Sequence, residues 1–397
     1  MKKQILLVLT LQNLSNHLYK RLGVGINYNN YEIVYWNLLP LINKSLCKET
    51  LKKIRKKNYI NINTFSMLRK EIKLLPNKLF YWNTCGYFFL SSIIDRYLSF
   101  IGGKKINIES GSQPDFSKDI KKNYIHYLKI HYKKNKYWLL NKIKSKIFTT
   151  IKNFISKKII IPTTNIYFAT NEKTFSYYKK ISNGKQVFKI DACEMVNFKE
   201  FKKIKNKNKK SIVFIDQELE NPFDQRLNYG SAGSIYKKED YWSKLNILFD
   251  KISKSLNNFK VNIAAHPRRE KNNLPSKRKF AFSKTLQLIS ESKLVLGHHS
   301  LALHYAILCR KPILFIYSSK QIRIGEIIII KGIAKAIGSM TLDFENIDKK
   351  KIKLNLKKIL KINIRKYKNY EKNYICFQNQ TSYGRWKTIL KNLIAVQ

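Results

Sequence analysis

Short apolar runs recur along the chain, each ending at polar residues, and segments with helical periodicity lie between them. The runs cover residues 4–11, 31–36, 105–108, 166–170 and 187–191 in the first half, and 211–216, 261–265, 293–297 and 313–317 in the second. Helical periodicity appears near 47–57, 65–75, 86–100, 239–256, 283–291 and 350–370. Strands that alternate with helices predict an α/β fold of two doubly wound, Rossmann-like domains with parallel sheets.

The length of 397 residues also favours two domains, because it exceeds what one ordinary core accommodates. The stretch 202–210 is polar, rich in Lys and self-repelling, which is typical of a linker. We therefore predict an N-terminal domain over 1–201, a linker over 202–210 and a C-terminal domain over 211–397. The first domain contains a basic and aromatic helical region at 121–158.

Two strands of the second half end at residues that can carry chemistry. One ends at His266-Pro267, followed by the cation Arg268, and the other at Gly297-His298-His299-Ser300-Leu301. In a parallel sheet these ends meet at one edge, where ligands bind. A serine at a helix start and the first free amides of the helix bind anions. The pattern predicts a phosphate site formed by Gly297, His299, Ser300, Leu301 and Pro267.

Four further residues are candidates for a cleft. Glu109 follows a predicted strand and precedes Ser110-Gly111, so its carboxylate can take a proton from a hydroxyl. Gln12 and Asn13 follow the first strand, and Asp216 ends the strand at 211–216. Each of these residues also suits simple capping. The chain lacks Asp-x-Asp, Gly-x-Gly-x-x-Gly, P-loop and Gly-x-Ser-x-Gly motifs, which counts against a metal site, dehydrogenases, NTPases and hydrolases.

The net charge of +53 favours anionic partners. Lys is spread over the whole chain, so biased composition is an equally good explanation of the excess. Region 121–158 interleaves Lys with Tyr, Trp and Phe, a pattern that suits the surface of an anionic membrane. The same pattern also fits a nucleic-acid-binding protein. The chain carries no helix-turn-helix, zinc-finger or RNA-binding fingerprint, so we expect no nucleic acid partner.

The cysteines and the hydropathy pattern predict the compartment. The five cysteines show no Cys-x-x-Cys spacing, which indicates reduced thiols in a cytoplasmic protein. No apolar run approaches about 18 residues, so no membrane span is expected. The predicted location is therefore the cytoplasm, with peripheral contact at the inner face of the membrane.

Taken together, the motifs resemble those of bacterial sialyltransferase-like glycosyltransferases of the GT-B fold, including capsule and lipooligosaccharide sialyl- and polysialyltransferases. Those families share an acidic motif, here Glu109-Ser110-Gly111, then His-Pro, here His266-Pro267, and a Ser/Thr motif, here at Ser300. The resemblance implies two domains that face across a cleft. It also implies an inverting, metal-independent transfer of a nonulosonic sugar from a CMP donor to a surface glycan or glycolipid, with no cofactor. Glu109 would deprotonate the acceptor, His266 would assist the leaving phosphate, and Ser300 would hold it.

The residues leave several alternatives open. Other GT-B transferases with CMP-Kdo, UDP-sugar or CDP-glycerol donors carry a similar layout, and the base is either Glu109 or another acid such as Asp216 or Glu172. A non-catalytic scaffold in a capsule assembly complex is a further alternative. Retained nucleotide binding without turnover would distinguish that scaffold from an enzyme.

Overall fold

A computed structural model describes most of the chain as two α/β units. The described residues are 4–11, 31–43, 58–77, 79–85, 89–109, 111–116, 163–201, 210–220, 238–269, 271–272, 274–319, 324–345, 347, 355–377 and 385–396. Unit 1 draws its residues from Met1–Ser110, His131–Asp191 and Gln380–Gln397, and unit 2 from Gly111–Ile130 and Ala192–Asn379.

The strands and helices alternate along the described chain. The strands are β1 (Gln4–Thr10), β2 (Tyr31–Asn37), β3 (Tyr59–Asn61), β4 (Phe80–Asn83), β5 (Lys104–Ile108), β6 (Ile166–Ala169), β7 (Gln186–Lys189), β8 (Ser211–Ile215), β9 (Lys260–Ala264), β10 (Phe280–Ala281), β11 (Leu294–Gly297), β12 (Ile313–Tyr317) and β13 (Met340–Asp343). The helices are α1 (Leu39–Ile42), α2 (Phe65–Lys73), α3 (Phe89–Phe100), α4 (Glu172–Ile181), α5 (Cys193–Phe201), α6 (Lys238–Ser255), α7 (Thr285–Glu291), α8 (Leu303–Leu308), α9 (Ile324–Ile337), α10 (Leu356–Leu360), α11 (Ile364–Tyr374) and α12 (Trp386–Ala395).

Unit 1 is built on a seven-stranded sheet of order β3-β2-β1-β4-β5-β6-β7, in which every pairing is parallel. β1 lies between β2 and β4, so both of its edges are hydrogen-bonded and it stands inside the sheet. This position explains why its sequence is continuously apolar, since a parallel strand is buried on both faces. Leu6, Leu7, Val8 and Leu9 are fully buried.

Unit 2 is built on a six-stranded sheet of order β10-β9-β8-β11-β12-β13, also with only parallel pairings. Numbered within the unit, this order is 3-2-1-4-5-6, the Rossmann order, and the first six strands of unit 1 follow it too. The predicted class, α/β with two doubly wound Rossmann-like sheets, is confirmed. The strand order reverses between β8 and β11, which is where such sheets bind ligands.

Helices cover both faces of the second sheet. On one face α6 buries Trp242, Leu245 and Phe249 against Phe214 of β8. On the other face α8, α9 and α11 pack against Phe315 and neighbouring strand residues. Burial of so many large apolar side chains supplies the main favourable term for this unit. Successive side chains at the strand ends point alternately towards these two faces.

The C-terminal helix belongs to unit 1, which differs from the predicted domain at 211–397. Ile389, Leu390 and Leu393 of α12 are fully buried in the core of the first sheet, and the rings of Trp386 and Trp82 lie 6.3 Å apart. Unit 2 also includes Gly111–Ile130, and its longer segment begins at Ala192 rather than at 211. The predicted boundary followed a charged run, whereas the observed one follows which core each helix contacts.

Some observed elements were not predicted from the sequence, and some predicted elements lie outside the described residues. The predicted strands agree with β1, β2, β5, β6, β7, β8, β9, β11 and β12. The elements that were not predicted are β3, β4, β10 and β13 and the helices α1, α4, α5, α9 and α12. The predicted helix at 47–57, the region 121–158 and nearly all of the predicted linker at 202–210 lie outside the described residues. Within the part of the chain that the structure describes, no helix is both long and apolar enough to cross a membrane.

Candidate functional site

The candidate site lies at the carboxyl edge of the second sheet, where β8, β9 and β11 end side by side. Asp216 follows β8, His266 follows β9, and Gly297 ends β11. The amide of Asp216 donates to the carbonyl of Ala264 at 3.1 Å, which continues the ladder of β8 and β9 past the strand ends. The structure therefore brings together the His-Pro segment, the Gly-His-His-Ser segment and the end of β8, as the sequence predicts for one sheet edge.

Asp216 anchors the loop that carries His266. Its carboxylate accepts hydrogen bonds from the Arg269 guanidinium, through Nη2 at 2.8 Å and also through Nε. The backbone amides of His266, at 3.1 Å, and Glu218, at 2.9 Å, donate to the same carboxylate. Asp216 is only 3% exposed. The residue predicted to face a cleft, and considered as a base, is instead committed to four internal donors.

Arg269 completes this anchor and was not singled out from the sequence. Its Nη2 lies 2.8 Å from Glu220, and its guanidinium lies 5.3 Å from the centre of the Trp242 ring. Burial alone would lower the pKa of Arg269, but hydrogen bonding and charge from Asp216, helped by Glu220, raise that pKa above its usual value. The charge is therefore buried and paired. Arg268, the predicted cleft cation, is exposed beside it.

A side-chain amide clamps the end of β11 to the end of β8. Oε1 of Gln217 accepts from the backbone amide of His299 at 3.0 Å, and its Nε2 donates to the carbonyl of the same residue. The pair of bonds mimics a strand pairing and fixes the path of the chain after Gly297. Gln217 is half-buried, and only its place at a strand end marks it in the sequence.

Gly297 is required by a close approach of the following helix. A Cβ built at this position would lie 3.3 Å from Cδ2 of Leu303 and 3.8 Å from Cβ of Ile215. Such a contact is tighter than most packed side chains show, so a larger residue would require the Leu303 side chain to shift by a few tenths of an ångström. The predicted glycine therefore acts through helix-to-strand packing.

Ser300 caps the turn that precedes α8. Its Oγ accepts from the amide of Ala302 at 3.2 Å, and its carbonyl accepts from the amide of Leu303 at 3.0 Å. The helix begins at Leu303 and has six residues, so Ser300 lies further from it than the predicted cap position. A capping oxygen still leaves the serine proton available for donation. Leu301 lies within the same turn.

The two adjacent histidines have different surroundings. His298 is 2% exposed and packs among Phe214, Tyr241 and Phe344. Its Nδ1 lies 2.8 Å from the carbonyl of Ile316, which can only accept, so Nδ1 carries the proton and Nε2 accepts from the Tyr241 hydroxyl at 2.8 Å. Burial lowers the pKa of His298 to about 4. This histidine is a neutral part of the core.

The predicted phosphate residue His299 is half-buried, and burial lowers the pKa of its imidazole as well. Its Nδ1 has no hydrogen-bond partner among the described residues. That nitrogen is shielded from solvent. Of the tandem pair, His299 has the more exposed side chain.

His304 is a second buried histidine in an apolar setting. It is 1% exposed, its ring lies 5.9 Å from that of Tyr370, and neither ring nitrogen has a partner within the described ranges. Burial lowers its pKa to about 3. An unpartnered buried imidazole is costly, and charging it costs more.

Acid should therefore destabilise the protein through His298 and His304. Their folded pKa values, about 4 and about 3, lie below the ordinary 6.5, so the unfolded chain takes up protons first as the pH falls. The stabilisation is complete above about pH 6.5 and is lost towards pH 3–4. At pH 5 each histidine should account for a loss of about 2 kcal/mol. Urea denaturation at pH 7.5 and pH 5 measures this loss in the free energy of unfolding.

The His304→Leu variant is the control for this pH dependence. It should lose about 2 kcal/mol less than the parent protein between the two pH values. It should also be at least as stable as the parent at pH 7.5, because it removes a buried polar ring without partners. An unchanged pH dependence would show that His304 does not carry this term.

Glu109 occupies the carboxyl end of β5 in unit 1 and is held by three donors. Thr170 donates from its backbone amide and its hydroxyl, both at 2.8 Å, and Thr174 donates from its hydroxyl at 2.7 Å. A carboxylate offers about four acceptor sites, and these donors from the described part of the chain occupy three of them. Arg385 donates to the carbonyl of Glu109 at 3.0 Å and fixes the backbone there.

The remaining predicted positions are distributed as follows. Gln12, Asn13 and Ser110 lie outside the described residues. Glu172, the alternative base, begins α4 and lies 3.7 Å from Lys189. Pro267 connects His266 to the two arginines. Among the described residues, no three His, Cys, Asp or Glu side chains are grouped as metal ligands.

Solved structures of two glycosyltransferases and of a UDP-GlcNAc 2-epimerase are similar to this chain at low identity. The glycosyltransferase of kitacinnamycin shares 8% identity over 100% of this chain and 99% of its own, with a TM-score of 0.49. A calicheamicin glycosyltransferase shares 10% over 94% of both chains, with a TM-score of 0.49. The UDP-GlcNAc 2-epimerase from Neisseria meningitidis bound to UDP-GlcNAc shares 14% over 99% and 100%, with a TM-score of 0.48. No protein-family model and no curated protein matches the sequence.

Proposed function

We propose that this protein is an inverting, metal-independent glycosyltransferase that uses a nucleotide-sugar donor. One observation carries the proposal: His266, partly exposed, stands at the carboxyl end of β9 beside the switch point of a Rossmann-ordered sheet, with the His299–Ser300 segment at the same edge. An imidazole and a serine hydroxyl at this edge suit a nucleotide phosphate.

The proposed reaction is a single displacement at the anomeric carbon. The oxygen of an acceptor hydroxyl forms the new bond to that carbon, and the bond from the carbon to the phosphate oxygen breaks. The electron pair leaves with the nucleotide. Glu109 takes the acceptor proton, and His266 donates a hydrogen bond or a proton to the departing phosphate oxygen. Ser300 and His299 bind the same phosphate. Positioning and charge stabilisation supply the rate enhancement.

The donor we propose is a CMP-activated nonulosonic acid, and the acceptor is a glycan or glycolipid of the cell surface. The support is the order of the three motifs, Glu109, then His266-Pro267, then Ser300, which resembles that of bacterial sialyltransferase-like enzymes. UDP-sugars, CMP-Kdo and CDP-glycerol are the alternative donors. Each of them releases a nucleotide whose phosphate His266 could bind; with CDP-glycerol the bond that breaks is to phosphorus rather than to an anomeric carbon.

A nucleotide-release assay with purified protein tests the function. CMP-Neu5Ac, CMP-Kdo, UDP-GlcNAc and CDP-glycerol would each be offered with EDTA present, with and without bacterial glycolipid extract. Release from one CMP-sugar that resists EDTA and increases with acceptor supports the proposal. Release only from a UDP-sugar or CDP-glycerol keeps the transferase and replaces the donor. No release and no nucleotide binding in calorimetry would reject the enzyme.

The Glu109→Gln variant tests the base. Because the amide cannot take the acceptor proton, turnover should fall by about 100-fold or more, with a smaller change in donor KM. Initial-rate kinetics and thermal melting would be measured together. Glu172→Gln, two residues after Thr170, is the matched control and should keep near-normal turnover. If Glu109→Gln lowers the melting temperature without loss of turnover, Glu109 stabilises the fold and is not the catalytic base.

We also propose that the protein contacts an anionic membrane surface peripherally. The support is the net charge of +53 and the exposed basic face of α10, α11 and their connection. The buried Tyr367 and Tyr370 hold α11 on the unit, so its other face is available. The exposed cations of this face are Lys357, Lys358, Lys361, Arg365, Lys366 and Lys368. Each cation near an anionic surface contributes about 1 kcal/mol.

Replacing Lys361, Arg365 and Lys368 by Ala should weaken binding to phosphatidylglycerol vesicles by at least about 10-fold at low salt. Sedimentation with vesicles measures the partition, and about 0.5 M salt should abolish it. Exposed lysines elsewhere on unit 2, Lys260, Lys277 and Lys279, serve as the matched control triple. An equal loss of vesicle binding in the two triple variants would show that binding depends on total charge and not on this face.

A further inference from the structure

Glu218 carries a carboxylate that faces the imidazole of His266. Its Oε2 lies 3.3 Å from Nδ1 of His266, and the two side chains are 12% and 22% exposed. The contact spans β8 and β9, so it depends on the pairing of two strands. In the mechanism above, His266 acts through a ring nitrogen, and nothing yet specifies which one.

Glu218 holds this position in a strained backbone conformation. Its φ is +52°, in the left-handed region that residues other than glycine, asparagine and aspartate seldom adopt. The hydrogen bond from its amide to Oδ1 of Asp216 holds the turn in place. Glycine would adopt this conformation without strain. The strain therefore serves to aim a particular side chain, and here that side chain reaches His266.

The contact selects one tautomer of the imidazole. A carboxylate only accepts hydrogen bonds, so Nδ1 beside Glu218 is favourable only when it carries the proton. The amide of Arg268 also points at Nδ1, but at 3.4 Å, and a neutral bond of that length is weaker than one to a charged carboxylate. With Nδ1 protonated and turned to Glu218, Nε2 is the nitrogen left for a ligand.

The backbone of His266 is held as firmly as its ring. Its amide donates to Asp216 at 3.1 Å, and its carbonyl accepts from the amide of Arg269 at 3.0 Å. Asp216 and Arg269 form the buried ion pair described above. Ring and backbone are thus fixed by separate acids, Glu218 for the ring and Asp216 for the backbone.

We propose that Glu218 is a positioning residue that acts through His266. It holds Nδ1 as a donor and directs Nε2 at the ligand phosphate; this role rests on the proposed function. As the general acid, the ring donates its proton from Nε2 to the departing phosphate oxygen while Nδ1 stays turned to Glu218.

Nitrogen NMR of the histidine rings tests the positioning without any substrate. In protein labelled with 15N-histidine at pH 8, His266, assigned by its loss in His266→Gln, should show the Nδ1–H tautomer. In Glu218→Gly it should revert to the Nε2–H form, while Glu239→Gly, which removes an exposed acid at the start of α6, should leave it unchanged. An Nε2–H ring in the parent protein, or an unchanged ring in Glu218→Gly, overturns the proposal.

Stability and kinetics separate positioning from a purely structural role. Glu218→Gly relieves the backbone strain, so its melting temperature should equal or exceed that of the parent protein, and a clear fall would point to a structural role. Glu218→Gln should lower kcat by at least about 10-fold with little change in donor KM. If the tautomer depends on Glu218 but no donor turns over, the proposed function fails and the pairing stands. If the enzyme turns over donor and kcat is unchanged in Glu218→Gln, the positioning role is wrong.

Discussion

Replacing Asp216 by alanine should lower the free energy of unfolding by about 3–5 kcal/mol. The substitution leaves the Arg269 guanidinium buried at 4% side-chain exposure, with Glu220 as its remaining acid. It also removes the acceptor of the amides of His266 and Glu218. A buried charge that loses its partner pays the full cost of desolvation, which exceeds the value of the pair itself. Urea denaturation followed by circular dichroism measures the loss.

The protein contains a matched control for this prediction. Arg278 and Asp250 form another Arg–Asp pair in the same unit, but Asp250 is 63% exposed. Asp250→Ala should therefore cost no more than about 1 kcal/mol. A loss below about 1 kcal/mol in Asp216→Ala would show that this ion pair does not anchor the loop.

The second large effect is expected in catalysis. His266→Ala should lower kcat of the proposed transferase by about 100- to 10,000-fold, because a general acid contributes about that much. The ring of His266 is partly exposed and its backbone bonds survive the change, so the melting temperature should move little. Initial rates of nucleotide release, with donor affinity from calorimetry, separate turnover from binding.

Arg268→Ala is the control for local charge. Arg268 is the exposed neighbour of the buried Arg269, so its loss should raise donor KM through weaker attraction of the phosphate and leave kcat nearly unchanged. A fall in kcat below 10-fold in His266→Ala would remove His266 from the reacting atoms. In that case His299, the other half-buried histidine of the edge, becomes the next residue to replace.

The positions of the strand ends could be predicted from the sequence because each buried strand appears as one short, continuous apolar run. A parallel strand is apolar along its whole length and stops where the chain reaches solvent, so His266 and Gly297 could be placed at strand ends. The shared edge then follows from topology alone. The strands β3, β4, β10 and β13 were missed; β3 and β10 are the shortest, with three and two residues.

The partners of the strand-end residues could not be predicted. Asp216 contacts His266 and Arg269 across 50 and 53 residues of sequence. Two adjacent histidines look alike in the sequence, yet His298 points into the aromatic core and His299 is clamped by Gln217, because successive residues after a strand face opposite sides of the sheet. The direction of a side chain depends on which helix covers each face.

The sequence by itself determined the α/β class, most strand positions and the chemical types at the sheet edge, because hydrophobic periodicity and turn residues act over short distances. Only the tertiary structure decided that Asp216 and Arg269 serve as a buried anchor and that Glu218 faces His266. It also decided that α12 packs on the first sheet although it ends the chain. These outcomes depend on contacts between segments far apart in sequence, where burial and charge pairing override any local preference.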